Sequence, residues 1–225
     1  MRNQEKDAAE QAKRRQSFLE QGFALFSSRN IESVTLQDVA RASGYGIATL
    51  YRYFNTKAGF CVAIAEWKWG EFFEENRKRR PGDNFRGGTA ADMFAFYLDS
   101  FLEIYRNNKA LLRFNQLFNI YLQAEDTEAG TLEAYRSLMK PITDFFHGMY
   151  ERAGQDGSVR TDISETEMLS ATIHLMLAAV TRYAVGLVYQ PAEGFDDMQE
   201  LKTLRDMLFM RYTQPHTEMH GSEGM

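Results

Sequence analysis

With 225 residues, 44% of them hydrophobic and 13% aromatic, the chain is long enough for one substantial core, or for a small domain beside a larger one. That composition excludes an intrinsically disordered chain. The net charge of −5 argues against nucleic acid if evenly spread, but residues 1–60 carry +3 and the remainder −8, which fits a basic reader on an acidic body.

The N-terminus, MRNQEKDAAEQAKRRQ, has no apolar signal-peptide core, and no stretch reaches the ~18–20 uninterrupted apolar residues of a membrane span. A cytoplasmic protein with no membrane partner is expected. One cysteine allows no intramolecular disulfide, which suits a reducing compartment. Cys61, between Phe60 and Val62, reads as a core residue.

Apolar residues recur at i, i+3, i+4 almost everywhere, proline is scarce and no alternating strand pattern repeats, so the fold class is all-α. A long amphipathic helix carries Phe18, Leu19, Gly22, Phe23 and Phe26. Two short helix patterns then occupy residues 35–57, TLQDVARASGYGIATLYRYFNTK, on either side of a glycine-marked turn. Thr35 caps the first, and Asp38 can reach back to the Thr35 amide, forming a capping box. Leu36, Val39 and Ala40 form its buried stripe, and Ser43 with Gly44 closes it. The second runs from about Gly46 to Phe54, with Leu50 and Phe54 facing inward. Three aromatics in four consecutive positions, Tyr51, Tyr53 and Phe54, cannot all face one core at ~100° per residue.

The run from Thr49 to Phe54 with Asn55, Thr56 and Lys57 resembles the recognition helix and exit of the TetR family of bacterial repressors. The DVARASG segment and the apolar helix after Phe60 agree with it. The resemblance is specific over roughly the first quarter of the chain and architectural beyond it. It departs at Gly46, where the family usually carries a capping Ser or Thr, and at Ala58, where an acidic residue is common. It implies an N-terminal three-helix helix-turn-helix domain at 1–58 and a helical ligand-binding and dimerisation domain at 59–213.

The DNA-reading residues follow by matching position. Thr35, Thr49, Tyr51, Tyr53 and Lys57 are expected at phosphates, the uncapped start at Gly46 offers amides to an anion, and Gln37, Tyr45, Ile47, Ala48 and Arg52 are expected at bases. Gln37 suits adenine and Arg52 guanine, whereas Ile47 and Ala48 offer only apolar contact. Shape readout, or Lys13, Arg14 and Arg15, would supply the rest.

Further helices are expected at about 56–79, 90–106, 109–124, 130–153, 165–190 and 196–213, with Pro141 kinking or breaking the fourth of these. The tail 214–225 is expected to be disordered; its His216 and His220 lack further metal ligands. The helix from Ser164 to Gln190 is apolar on nearly every side, which points to a partner subunit. Through the resemblance, the last two helices form a homodimer interface including Met168, Leu175, Met176, Ala179, Tyr183, Leu201, Leu204 and Leu208, reading a pseudo-palindromic double-stranded operator.

A small, hydrophobic or aromatic effector is implied in the same way. Tyr97, Phe101, Phe114, Asn115, Phe118, Tyr121, Phe146, His147, Tyr150 and His174 are the candidate lining, each with core packing as its competing role. Occupancy would release a repressor from DNA; activation, or ligand-promoted binding, stays open. The alternative is a DNA-binding protein controlled by a protein partner, with no small effector. No Gly-rich phosphate loop, GxSxG elbow or Cys/His cluster is present, so no catalytic residue, metal site or cofactor is expected.

Overall fold

In a computed structural model the chain is described over residues 2–81, 85, 87–124, 129–186 and 194–213, with side chains at all of these except 2–5, 129–132 and 134. Among the described residues the regular structure is entirely helical. The helices are α1 (Arg2–Phe26), α2 (Leu36–Ser43), α3 (Ile47–Tyr53), α4 (Lys57–Lys78), α5 (Ala90–Asn107), α6 (Lys109–Ala124), α7 (Ala129–Asp156), α8 (Glu165–Val185) and α9 (Asp197–Thr213), with a short 3-10 turn at Ile31–Ser33. The all-α expectation and nearly all helix limits agree with this. The expected tail lies outside the described residues.

Contacts group the chain into two units, Met1–Arg79 with Glu103–Pro141 and Thr181–Val188, and Arg80–Leu102 with Ile142–Val180 and Tyr189–Met225. In the first unit, α1 packs on α2, α3 and α4, while α6 packs on α1, α4 and the 3-10 turn. Its centre is aromatic. The fully buried Phe60 ring meets Phe54 at 4.7 Å and Phe26 at 5.9 Å between centroids.

Gly22 lets α1 approach this centre. A Cβ there would stand 2.5 Å from Phe60 Cζ and 2.8 Å from Ile64 Cδ1, both on fully buried side chains. Gly22→Ala is therefore expected to lower stability by about 1–3 kcal/mol through overpacking, despite alanine's better helix propensity. A urea midpoint at or above wild type would show that α1 and α4 can separate at no cost.

The second unit centres on Phe94, ringed by Phe146, Phe209 and Tyr212 at 5.8–6.3 Å. The start of α5 is held from the end of α7: Asp156 accepts from the Ala90 amide at 2.8 Å and the Ser158 hydroxyl from the Ala91 amide at 2.9 Å. Arg152 donates to the carbonyls of Phe85 and Gly88. The Asp156 and Ser158 contacts satisfy amide donors that a helix start leaves open, and Arg152 supplies a donor to carbonyls of the preceding turn.

Pro141 lies inside α7, and the helix runs on through it. A missing N–H removes one backbone bond without ending a helix this long. The helix expected to reach Gln190 stops at Val185, where Gly186 takes φ +112°; residues 187–190 lie outside the description.

Candidate nucleic-acid interface

The first motif helix begins at a complete capping box. Thr35 Oγ1 accepts from the Asp38 amide at 3.1 Å, and Asp38 Oδ2 accepts from the Thr35 amide at 3.0 Å and its hydroxyl at 2.6 Å. Those bonds from the Thr35 side chain and backbone hold the Asp38 carboxyl below the usual carboxylate range. Gly44, at φ +75°, donates to the last carbonyls of α2 and turns the chain, a conformation that suits glycine.

After this turn α3 starts at Gly46 with no side-chain cap, and Leu50 and Phe54 anchor its inner face at 0% and 5% exposure. The opposite face is open. Tyr51 is 50% exposed, Arg52 and Ala48 are exposed, and Ile47 and Thr49 are half-buried. Arg52 Nη2 lies 3.3 Å from Thr49 Oγ1, which holds the guanidinium along the helix. Gln37 and Thr35 are exposed beside it on α2 and its cap.

Three other members of the expected reading set are engaged within the protomer. Tyr45 and Tyr53 flank Phe18 of α1 at 5.6 and 6.1 Å, and the Tyr53 hydroxyl donates to the Gln11 carbonyl at 3.3 Å. The Lys57 ammonium lies over the Tyr121 ring, 5.4 Å from its centroid, and 3.4 Å from the Glu32 carbonyl. Thr35 is exposed, but its amide and hydroxyl are both bonded to Asp38, so the set open to a partner is Gln37, Gly46, Ala48, Tyr51 and Arg52. Arg15, which the sequence offers only as part of a basic segment, stacks over Phe54 at 5.4 Å. It lines a cavity of about 370 Å³ with Tyr53, Asn55, Thr56 and Gly59, at the exit of α3.

The expected effector residues separate into groups. In the first unit Phe114 and Phe118 stack at 5.6 Å, Phe118 meets Tyr135 edge-on at 5.1 Å, and the Tyr135 hydroxyl donates to Asn115 Oδ1 at 3.2 Å. Burial pushes the Tyr135 phenol up to about 12. Tyr121 is buried on the same helix. In the second unit Tyr97 is ringed by Phe101, Phe145 and Phe146, and its buried hydroxyl has no hydrogen-bond partner among the described residues. Burial raises that phenol as well.

The remaining effector candidates have partners or open surface around them. His147 is exposed, with Nδ1 2.9 Å from Glu165 and Nε2 3.6 Å from Glu151. The hydrogen bond and charge of Glu165 raise its pKa. Tyr150 donates to the Ile163 carbonyl at 2.7 Å, and the exposed His174 lies 3.3 Å from Ser170.

Of the expected interface residues, Met168, Met176, Leu201 and Leu208 are buried within the protomer, Ala179, Tyr183 and Leu204 are half-buried, and Leu175 is 49% exposed. Met207 and Met210 of α9 are exposed as well, at 58% and 47%. By length and composition α8 could cross a membrane, a test that core helices of soluble proteins also pass, and only 33% of its apolar window is buried. Among the described residues no group of three or more His, Cys, Asp or Glu is placed to hold a metal.

Residues 18–64 match the family model described as "Bacterial regulatory proteins, tetR family". An HTH-type transcriptional regulator of Staphylococcus aureus (strain bovine RF122 / ET3-1) is 26% identical over 204 residues, which cover 85% of this chain and 99% of that one. The fold is similar to that of the transcriptional regulator FadR from Bacillus subtilis in complex with stearoyl-CoA, with a TM-score of 0.67, 13% identity and coverage of 86% and 97%. It is similar also to AibR in complex with isovaleryl coenzyme A and operator DNA, with a TM-score of 0.66, 18% identity and coverage of 87% and 98%.

Proposed function

Because the chain is a member of the TetR family of bacterial transcriptional regulators, we propose that it binds a pseudo-palindromic operator as a homodimer and represses until a small apolar effector releases it. The observation that carries this reading is the outward face of α3. Tyr51, Arg52 and Ala48 are presented on a helix anchored by Leu50 and Phe54, beside Gln37 of a capped α2. The phenol and guanidinium are donors suited to phosphate and guanine, and the Gln37 amide suits adenine.

Residues 1–58 are assigned the reading of DNA, and 59–213 effector binding and dimerisation. The sparse burial of α8 and the exposed Leu175, Met207 and Met210 support a covering subunit, because apolar surface left in water favours association. A two-fold dimer would set its α3 helices about one DNA turn, ~34 Å, apart. Occupancy releases the operator by favouring a dimer whose spacing does not fit it. The setting is the cytoplasm, and the activity is binding rather than catalysis.

For the effector, the Tyr97 hydroxyl, unpaired among the described residues and set amid phenylalanine rings, supports a ligand with a hydrogen-bond acceptor on an apolar frame. The acyl-CoA complexes of FadR and AibR make acyl thioesters the first compounds to screen. Titrating the operator complex with short and long acyl-CoA thioesters and with apolar aromatic ketones is expected to release DNA with at least one. A complex indifferent to all of them would favour control by a protein partner.

A further inference from the structure

We propose that Tyr121 is a positioning residue for DNA binding, whose ring holds the Lys57 ammonium within the protomer so that the operator must take this cation from it. The inference rests on the DNA-binding reading above and adds to it a competition for one charge. Lys57 is the first residue of α4, where the helix dipole disfavours a cation and no acidic residue of the first turn offsets it. The Glu32 carbonyl at 3.4 Å and the Tyr121 ring at 5.4 Å compensate, and among the described residues no carboxylate pairs with it. The ammonium of this half-buried residue is thus held by two weak, neutral acceptors that a phosphate oxygen, carrying full charge, can outbid.

The position of Tyr121 gives this contact its regulatory meaning. It follows Phe114 and Phe118 at helical spacing on α6, and Phe114 also meets Phe23 of α1 at 5.7 Å. Any shift of α6 against its aromatic neighbours alters the grip on Lys57. The protomer therefore has a charge-based control on operator affinity besides the spacing of its two reading helices.

The test is a double-mutant cycle on operator affinity with the full-length protein. Tyr121→Leu removes the ring and is expected to tighten binding about threefold per protomer, roughly tenfold for a dimer, the amount a partly exposed cation–π contact supplies. The gain should vanish in a Lys57→Met background, which itself flattens the salt dependence by about one unit per lost phosphate contact. Tyr121→Phe, which keeps the ring, should bind like wild type. In the free protein the Lys57 ε-methylene protons should resonate upfield, under the ring, and move to solvent-like positions when operator is added.

Unchanged or weaker binding by Tyr121→Leu, an equal gain in the Lys57→Met background, or ε-methylene resonances indifferent to operator would overturn the proposal. If Tyr121→Leu does not fold, the resonance titration decides alone. If the wild-type protein enriches no duplex, the DNA-binding reading itself falls; a null cycle on an operator that does bind removes only the role of Tyr121.

Discussion

Replacing Tyr51 with alanine is expected to weaken operator binding roughly 30- to 150-fold while leaving thermal unfolding almost unchanged. The side chain is 50% exposed, and the residues that anchor its helix are Leu50 and Phe54 on the other face. An exposed position with no core contact shifts stability by about 0.5 kcal/mol or less, and alanine is the better helix former. On DNA, a phenolic hydroxyl bonded to a charged phosphate contributes about 1–1.5 kcal/mol, and a two-fold dimer loses it twice. Phe54→Ala is the contrast. Its ring is buried against Phe60 at 4.7 Å and under Arg15, so its loss should cost about 3–5 kcal/mol of stability and abolish binding by unfolding. A gel-shift titration beside a circular-dichroism melt separates the two; unaltered affinity for Tyr51→Ala would remove this residue from the interface.

Leu175→Arg on α8 is expected to convert the dimer to folded monomers and to reduce operator affinity by about a thousandfold or more. At 49% exposure the arginine head can stay in solvent in a lone protomer, so the protomer fold should survive. In a two-fold interface the same substitution appears twice, and two charges must be desolvated against apolar partners or against each other. A monomer then holds a single half-site and loses the millimolar effective concentration that dimerisation supplies to the second. Sedimentation velocity reads the first effect and a gel shift the second. A dimer that persists would move the interface away from this face of α8.

Much of the local structure between Thr35 and Lys57 is legible in the sequence alone. Thr35 and Asp38 are three residues apart, Gly44 follows the apolar stripe, and Leu50 and Phe54 repeat at one turn, so each feature depends on neighbours in sequence. What escaped depends on distant segments. Tyr53 donates to Gln11 across 42 positions, and Lys57 meets a ring on α6, so neither partner is visible from the motif. The 3-10 turn at Ile31–Ser33 is too short to carry a period.

The long helices show the same division. A helix that is apolar around its circumference tells that something covers it, but Met168 and Met176 turn into the protomer while Leu175 between them turns out. That choice is set by packing, not by composition. His147, read from its apolar neighbours as a ligand contact, instead sits at the surface between Glu165 and Glu151, carboxylates supplied by the next helix and the next turn.

Selection of bound sequences from a random duplex pool, followed by salt titration on the winner, tests the central claim most directly. A dimeric operator-binding regulator enriches a two-fold symmetric site with half-sites centred about one helical turn, ~34 Å, apart, and its affinity falls steeply with salt. An unenriched pool, or an asymmetric site occupied by one protomer, would contradict it.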